Sequence, residues 1–254
     1  MYLRQICLVA PELNPTVEAL SELFSIPVCH RDPEVAAFGL ENAILAVGSQ
    51  FLEVVAPIRE GTAAGRFMER RGSGGGYMVI CQVSAREDQA RVRHRARARG
   101  VRLAYEADHQ SWNIMQLHPA DMKASFLEVD WDSQADPEGN WEPAGGLRWR
   151  ESVCAEVTTA ITALELSGPE PQALAAHWAD VTGLPLENQD GLPCLVLANA
   201  TLRFSRAAEA INSGLVAADL KIRDRSRLYA SAAALGIEIA DEQVHVGGMR
   251  FNLV

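Results

Sequence analysis

Phe51-Leu52-Glu53-Val54 recurs letter for letter at Phe126-Leu127-Glu128-Val129. Four identical residues can recur by chance in a chain of 254, so the repeat carries weight only through its surroundings. Those repeat too. Each copy ends an alternating hydrophobic run, SQFLEVVAP at 49–57 and KASFLEVDW at 123–131. Each run closes a block that reads as an apolar strand, an amphipathic helix and two or three further strands. The copies lie 75 residues apart (51 to 126), which suits a βαβββ unit and is too long for a short solenoid repeat. Alternate strand side chains take opposite faces, so Glu53 and Glu128 stand opposite Leu52 and Leu127. A carboxylate among apolar strand neighbours needs a partner, a metal or water.

Working outward, residues 3–10 read as a strand. Asn14 as N-cap and Pro15 as first helical residue would open a helix with Val17, Leu20, Leu23 and Phe24 at helical spacing, stopped by Pro27. Strands are expected at 36–40 and 43–48, with Glu41-Asn42 as the turn between them. Residues 58–76 read as a loop with a short helical piece at 63–70 and the run Gly72-Ser73-Gly74-Gly75-Gly76. That run lacks the Lys-Ser/Thr and the preceding strand of a phosphate loop, so it reads as a flexible connector. A strand at 77–83 follows, then Ser84-x-x-Glu87 as a capping box for a helix ending at Gly100. The arginines of that helix (86, 91, 93, 95, 97, 99) go round it instead of forming a stripe, which argues for a solvated face. Strands at 102–106, 112–118 and 125–131 complete the second unit, with His118-Pro119-Ala120-Asp121 in the turn before the last.

Residues 132–150 are polar, rich in Pro and Gly, and carry Trp141 and Trp149, which suggest a linker that packs on a surface. The pattern then restarts with a strand at 160–166 and a helix opened by Pro171, with Leu174, Trp178 and Val181 on one face and Gly183 at its end. Strands at 194–198, 201–205 and 215–222, a helix from Asp224 to Gly236, and strands at 237–239 and 249–253 finish the chain. The expected organisation is α+β: four βαβββ units, the last shortened, arranged as a domain at 1–131, a linker at 132–154 and a second domain at 155–254. The net charge of −10 disfavours nucleic acid. Five cysteines (Cys7, Cys29, Cys81, Cys154, Cys194) show no CxxC spacing, and Cys7 and Cys81 read as buried strand thiols. With no signal peptide and no apolar run long enough for a bilayer, no membrane partner and a cytoplasmic location are expected.

The opening RQICLVAPELNPTVEALSELFSIP resembles the start DHVxxxVPDLxxAxxFYxxxLG of the vicinal oxygen chelate superfamily. This is the fold of glyoxalase I, methylmalonyl-CoA epimerase, extradiol dioxygenases and bleomycin-resistance proteins. LHPADMKASFLEVDW resembles the LHPKxxxGxLxEL hairpin of its epimerase branch. The resemblance covers 1–131, while 155–254 matches only in the order of elements. It implies paired βαβββ modules curled into half-open mixed barrels, whose concave face holds one divalent ion (Ni, Zn, Mn or Fe) for substrates with neighbouring oxygens. The ligand positions it implies fall on Gln5, Glu53, Met78 and Glu128. Met78 is the departure, because a thioether is a poor ligand for such ions. His118 or His109 would have to supply the missing nitrogen. In the second half the same positions fall near Ala163, Phe204 (or Arg203), Leu215 and Asn252, so that domain reads as a degenerate copy.

What the resemblance implies is a glyoxalase-like protein acting on a small oxygenated metabolite as a metal-dependent lyase or isomerase. An ion at Gln5, Glu53 and Glu128 would stabilise a developing oxyanion, and Glu128 would move the proton. Met78, Trp112 and His118 would meet the substrate. His118 also reads as a cap of its hairpin turn, and Trp112 as core filler. The rival reading pairs the carboxylates with Arg4, Arg102 or Arg203. It leaves a metal-free protein that sequesters a small apolar or aromatic molecule, as bleomycin-resistance relatives do. A dioxygenase is disfavoured because the matched positions hold no histidines. Open sheet edges point to a homodimer, with a monomer as the alternative.

Overall fold

The computed structural model describes residues 1–208 and 213–254. The fold is α+β, with the strands in a mixed, open sheet. Module 1 comprises β1 (Tyr2–Val9), α1 (Leu13–Phe24), β2 (Val28–His30), β3 (Leu40–Val47) and β4 (Gln50–Pro57). After α2 (Ala63–Arg71), module 2 runs through β5 (Gly75–Val83), α3 (Arg86–Ala98), β6 (Leu103–Asp108) and β7 (Trp112–Leu117). It ends, past the single turn α4 (Pro119–Met122), in β8 (Phe126–Asp132). Module 3 holds β9 (Thr158–Gly168), α5 (Pro171–Thr182), β10 (Leu186–Gln189), β11 (Leu192–Val196) and β12 (Thr201–Arg206). Module 4 is one strand shorter: β13 (Gly214–Ile222), α6 (Arg225–Leu235), β14 (Gln243–Val246) and β15 (Met249–Leu253). In modules 2, 3 and 4 the first strand lies parallel to the last, and antiparallel strands follow outward.

The modules do not group in chain order. One compact unit takes Met1–Gln5, Tyr77–Asn140 and Ala163–Val216, hence modules 2 and 3. The other takes Ile6–Gly76, Trp141–Thr162 and Ala217–Val254, hence modules 1 and 4 with most of the linker. They are called the 2–3 unit and the 1–4 unit below.

In the 2–3 unit α3 meets α5. Arg95 donates to the carbonyls of Val181 (3.0 Å) and Thr182 (2.5 Å) at the end of α5, where unmatched carbonyls favour a cation. Pro171 opens α5 and Gly183, at φ +77°, closes it, as expected. Trp178 is fully buried, donates to the Met122 carbonyl (2.9 Å) and packs on Phe204. Three α3 arginines and the C-cap Arg99 carry ion pairs, Arg86–Asp108, Arg91–Asp88, Arg93–Glu106 and Arg99–Asp180, so that helix presents the solvated face its pattern suggested.

In the 1–4 unit, α1 buries Leu13, Val17, Leu20, Leu23 and Phe24, with Phe24 packed on Phe251. The linker packs as its tryptophans implied: Trp141 and Trp149 are buried, and Trp149 sets its edge on Phe51. Gln50 imitates a strand backbone, with its amide donating to the Ile161 carbonyl (2.9 Å) and its oxygen accepting from the Ile161 N–H (2.8 Å).

Several local expectations need correction. Residues 36–40 are not a strand. Asp32 caps a 3₁₀ turn at Pro33–Phe38 by accepting from the Glu34 N–H (2.9 Å), so Asp-Pro chemistry outweighs a short alternation. Glu41-Asn42 is no turn but belongs to β3. Helix α1 starts at Leu13 after Glu12, with Asn14 inside its first turn, and α3 starts after Ala85 without a side-chain cap, so the capping box is not formed. The strand expected at 237–239 lies at Gln243–Val246 instead. The glycine run is a point of backbone crossing in the 1–4 unit. A Cβ on Gly74 would stand 2.4 Å from the Val9 carbonyl oxygen, and one on Gly248 only 2.3 Å from that of Gly74. No helix among the described residues is long and apolar enough to cross a membrane.

Candidate functional site

Strand parity divides module 2 into two faces. Leu127 and Val129 are fully buried on the helix side, where Gln89 of α3 donates to the Val129 carbonyl (2.8 Å). The other face carries Glu128 and Asp130 on β8. Their neighbours on β5 are Ile80, opposite Glu128, and Gln82, opposite Asp130. On the other side Gln116 of β7 stands opposite Glu128. Exposure falls across this face. Trp112, Ile114 and Gln116 on β7 are half-exposed, whereas Glu128 is 4% and Gln82 and Asp130 are 2% exposed.

Each buried group has a traceable setting. Glu128 Oε2 accepts from Gln116 Nε2 at 2.7 Å. Gln82 Oε1 accepts from Arg4 Nη1 at 2.9 Å, and the fully buried Arg4 guanidinium also donates to the carbonyls of Asp136 and Gly139. Asp130 Oδ1 accepts a long bond (3.4 Å) from the Met115 N–H, and its carboxyl is also hydrogen-bonded to that of Glu128. Burial first, and then the Glu128 carboxylate beside it, push Asp130 well above the usual carboxylate range.

Modules 3 and 4 are not devoid of strand carboxylates. Glu165 on β9 pairs in register with Arg203 and accepts from Ser205 Oγ at 2.6 Å. Phe204 turns to Trp178 on the helix side, so Arg203 is the residue that shares the face of Glu165. Asp219 on β13 pairs with Asn252, whose amide donates to it at 2.6 Å. The carboxylate thus sits on the last strand in modules 1 and 2 and on the first strand in modules 3 and 4. A search for matches at the ligand positions alone misses Glu165, Asp219, Asp130 and Gln82. Counting alternate residues along each strand was the signal that could have found them.

The expected site residues are distributed as follows. Gln5 and Glu128 belong to the 2–3 unit, and both are buried. Glu53 belongs to the 1–4 unit, accepts from Asn42 Nδ2 at 2.7 Å, and stands two residues from Phe51, which Trp149 covers. Met78 lies opposite Phe126, on the face of Glu128. His118 caps α4, its Nδ1 accepting from the Ala120 N–H at 3.3 Å. Trp112 stacks on His109, with ring centroids 4.2 Å apart. Arg102 is engaged by Asp121 rather than by a strand carboxylate. Among the described residues no three of His, Cys, Asp and Glu gather as a metal-binding group. With Met78 at the fourth position as well, no chemical step below is routed through an ion.

The model of the glyoxalase-like domain matches residues 6–182, more than half of the chain. The chain belongs to the glyoxalase-like domain family. No curated protein matches it. Among solved structures, this glyoxalase-like protein is 12% identical to the Mn(II)-bound glyoxalase from Novosphingobium aromaticivorans, over 99% of this chain and 81% of that one, at a TM-score of 0.69. A hypothetical protein from Staphylococcus aureus is 11% identical over 100% of this chain and 99% of that one, at 0.63. Methylmalonyl-CoA epimerase from Mycobacterium tuberculosis is 24% identical over 52% of this chain and 87% of that one, but at a TM-score of 0.44. The first two likenesses show the fold, and at such identities nothing more.

Proposed function

We propose that this glyoxalase-like protein binds a small oxygenated metabolite on the polar face of the 2–3 unit, and that Glu128 exchanges a proton with it as in a lyase or isomerase. The observation that carries this reading is the setting of Glu128. It is a buried carboxylate oriented by Gln116 at 2.7 Å, standing where the half-exposed β7 gives way to the buried β8. A carboxylate fixed in that way is suited to take a proton from a carbon next to a carbonyl, whose oxygen receives the electron pair. Met78 and Trp112 supply apolar walls, and His118, with Nδ1 used in the cap, offers Nε2 to the substrate.

The test is solvent-deuterium exchange into small hydroxy-ketones and hydroxy-aldehydes, followed by NMR. The wild type should catalyse exchange, and Glu128→Gln should lower the rate by about 100-fold or more while keeping a cooperative melt. Exchange at the buffer rate with every compound would remove the proton-transfer reading and leave a small-molecule binding protein. The apolar side chains on the same face, Met78, Ile80 and Phe126, support that second reading. The resemblance also implies a metal-bearing form, for which the 2–3 unit offers Gln5 and Glu128 as oxygen ligands.

A further inference from the structure

Gln82 of β5 lies on the face of Glu128, one rung beyond the Ile80–Glu128 pair, and is 2% exposed. Arg4 decides which way its amide points. A guanidinium only donates, so Oε1 must meet Arg4 Nη1 (2.9 Å) and Nε2 is turned away from it. That guanidinium is itself fully buried and fixed on the carbonyls of Asp136 and Gly139, so the amide cannot turn over. Nε2 is buried and has no acceptor among the described residues. The carboxyl of Asp130, the register partner of Gln82, is already bonded to Glu128 and to the Met115 N–H. A buried amide donor left unmet is a substantial loss, and native interiors rarely leave one unsupplied.

What Nε2 lacks is an acceptor, and Glu128 beside it narrows the class. When a carboxylate takes a proton from a carbon next to a carbonyl, the C–H bond breaks and the electron pair moves onto the carbonyl oxygen. That oxygen needs a donor already aimed at it in a water-poor setting, where an N–H stabilises developing charge most. The Gln116 amide is spent on Glu128, whereas the Gln82 amide is not. Residues two apart on a strand are spaced by roughly 7 Å, so a ligand whose carbon meets Glu128 can set its neighbouring carbonyl oxygen at the Gln82 rung. Entry is from β7, where Trp112, Ile114 and Gln116 are half-exposed on the same face.

We propose that Gln82 Nε2 is the donor that holds the carbonyl oxygen of the ligand, and that it stabilises the charge arriving on that oxygen as the proton leaves. The first half stands on the orphaned amide, and the second rests on the proton-transfer reading of Glu128.

The probes are hydroxyacetone and acetone, each ¹³C-labelled at the carbonyl and titrated into the full chain. In the wild type the Gln82 side-chain amide, assigned through its own backbone, should shift saturably with both ketones. The ¹³C resonance of the bound carbonyl should move downfield, the direction that a donated hydrogen bond imposes. Gln82→Met should remove that downfield shift and lower the deuterium-exchange rate at saturating ketone by about 100-fold. Should the variant not fold, the two wild-type resonances decide. A Gln82 amide that no ketone shifts, or a bound carbonyl with the same resonance in wild type and Gln82→Met, would overturn the proposal and leave a structural water on Nε2. An exchange rate unchanged in Gln82→Met would overturn the second half. If Glu128 carries no proton transfer, exchange stays at the buffer rate while both resonances still move. If Gln82 is not the donor, exchange proceeds while they stay still, so the two failures are distinguishable.

Discussion

Asp121 shows how much one surface carboxylate can be bound by a single neighbour. It accepts two bonds from the Arg102 guanidinium (2.7 and 2.9 Å) and one from the Arg102 backbone N–H (3.0 Å). The guanidinium bonds first, and the backbone bond second, hold its carboxyl far below the usual aspartate range. The folded value is below the unfolded one, so this stabilisation is full above about pH 4 and is lost as the pH falls toward the folded value. Arg102 is largely exposed, so the effect is screened. Asp121→Asn should lower the melting temperature at neutral pH by about 1–3 °C, a gap that closes in acid. A gap of equal size at every pH would show that the aspartate is stabilising through something other than its charge. At this same scale Glu128 was legible in the letters, because the repeat marks it. Asp130 was equally visible, two residues on, but its partner Gln82 could be named only once the strand register was known.

Among the elements, the glycines at the crossing of Gly74 and Gly248 give a direct test of packing against conformational strain. Gly72 and Gly248 both lie in left-handed backbone, at φ +74° and +76°, but a Cβ on Gly72 meets nothing within 4 Å. Alanine at either site should cost about 1–2 kcal/mol for the conformation alone. Gly248→Ala must also push apart the backbones that cross there, and should lose at least about 1 kcal/mol more in urea denaturation. Equal losses would mean that the crossing yields easily. The contrast explains which elements the sequence disclosed. Helices α5 and α6 were legible because Pro171, Gly183, Asp224 and Gly236 are local signals, and the structure uses all four. The glycine run was misread because its partner lies more than 170 residues away, at Gly247-Gly248. The residues that compel a glycine there are outside any local window.

For the whole molecule, the metal-bearing form makes a demand that can be read without a substrate. An ion bound by the native state alone stabilises it by about 2.7 kcal/mol at a hundredfold excess over the dissociation constant. On this form, Mn(II) or Zn(II) should raise the melting temperature of the wild type by roughly 5–10 °C, EDTA should reverse the rise, and Glu128→Gln should abolish it. Superposed curves for all samples would remove the ion and leave the carboxylates to their amide partners. Sedimentation at micromolar concentration checks the expected homodimer, and a clean monomer would rule it out.

The grouping of the modules has a consequence in time. A ribosome delivers the chain from its amino terminus, at roughly 5–20 residues per second in a bacterium or eukaryote. The 2–3 unit has all of its residues once Val216 has emerged, whereas the 1–4 unit, begun with the first strand, must wait for Ala217–Val254. Module 1 therefore precedes modules 2 and 3 in synthesis but is completed after them. During that interval its apolar strands are without their final partners, and closure requires module 1 to meet module 4 across the whole length of modules 2 and 3, which costs more loop-closure entropy than a contact between neighbouring modules. Mutations that loosen module 4 should accordingly act first on the yield of folded protein during synthesis, before they change anything at Glu128.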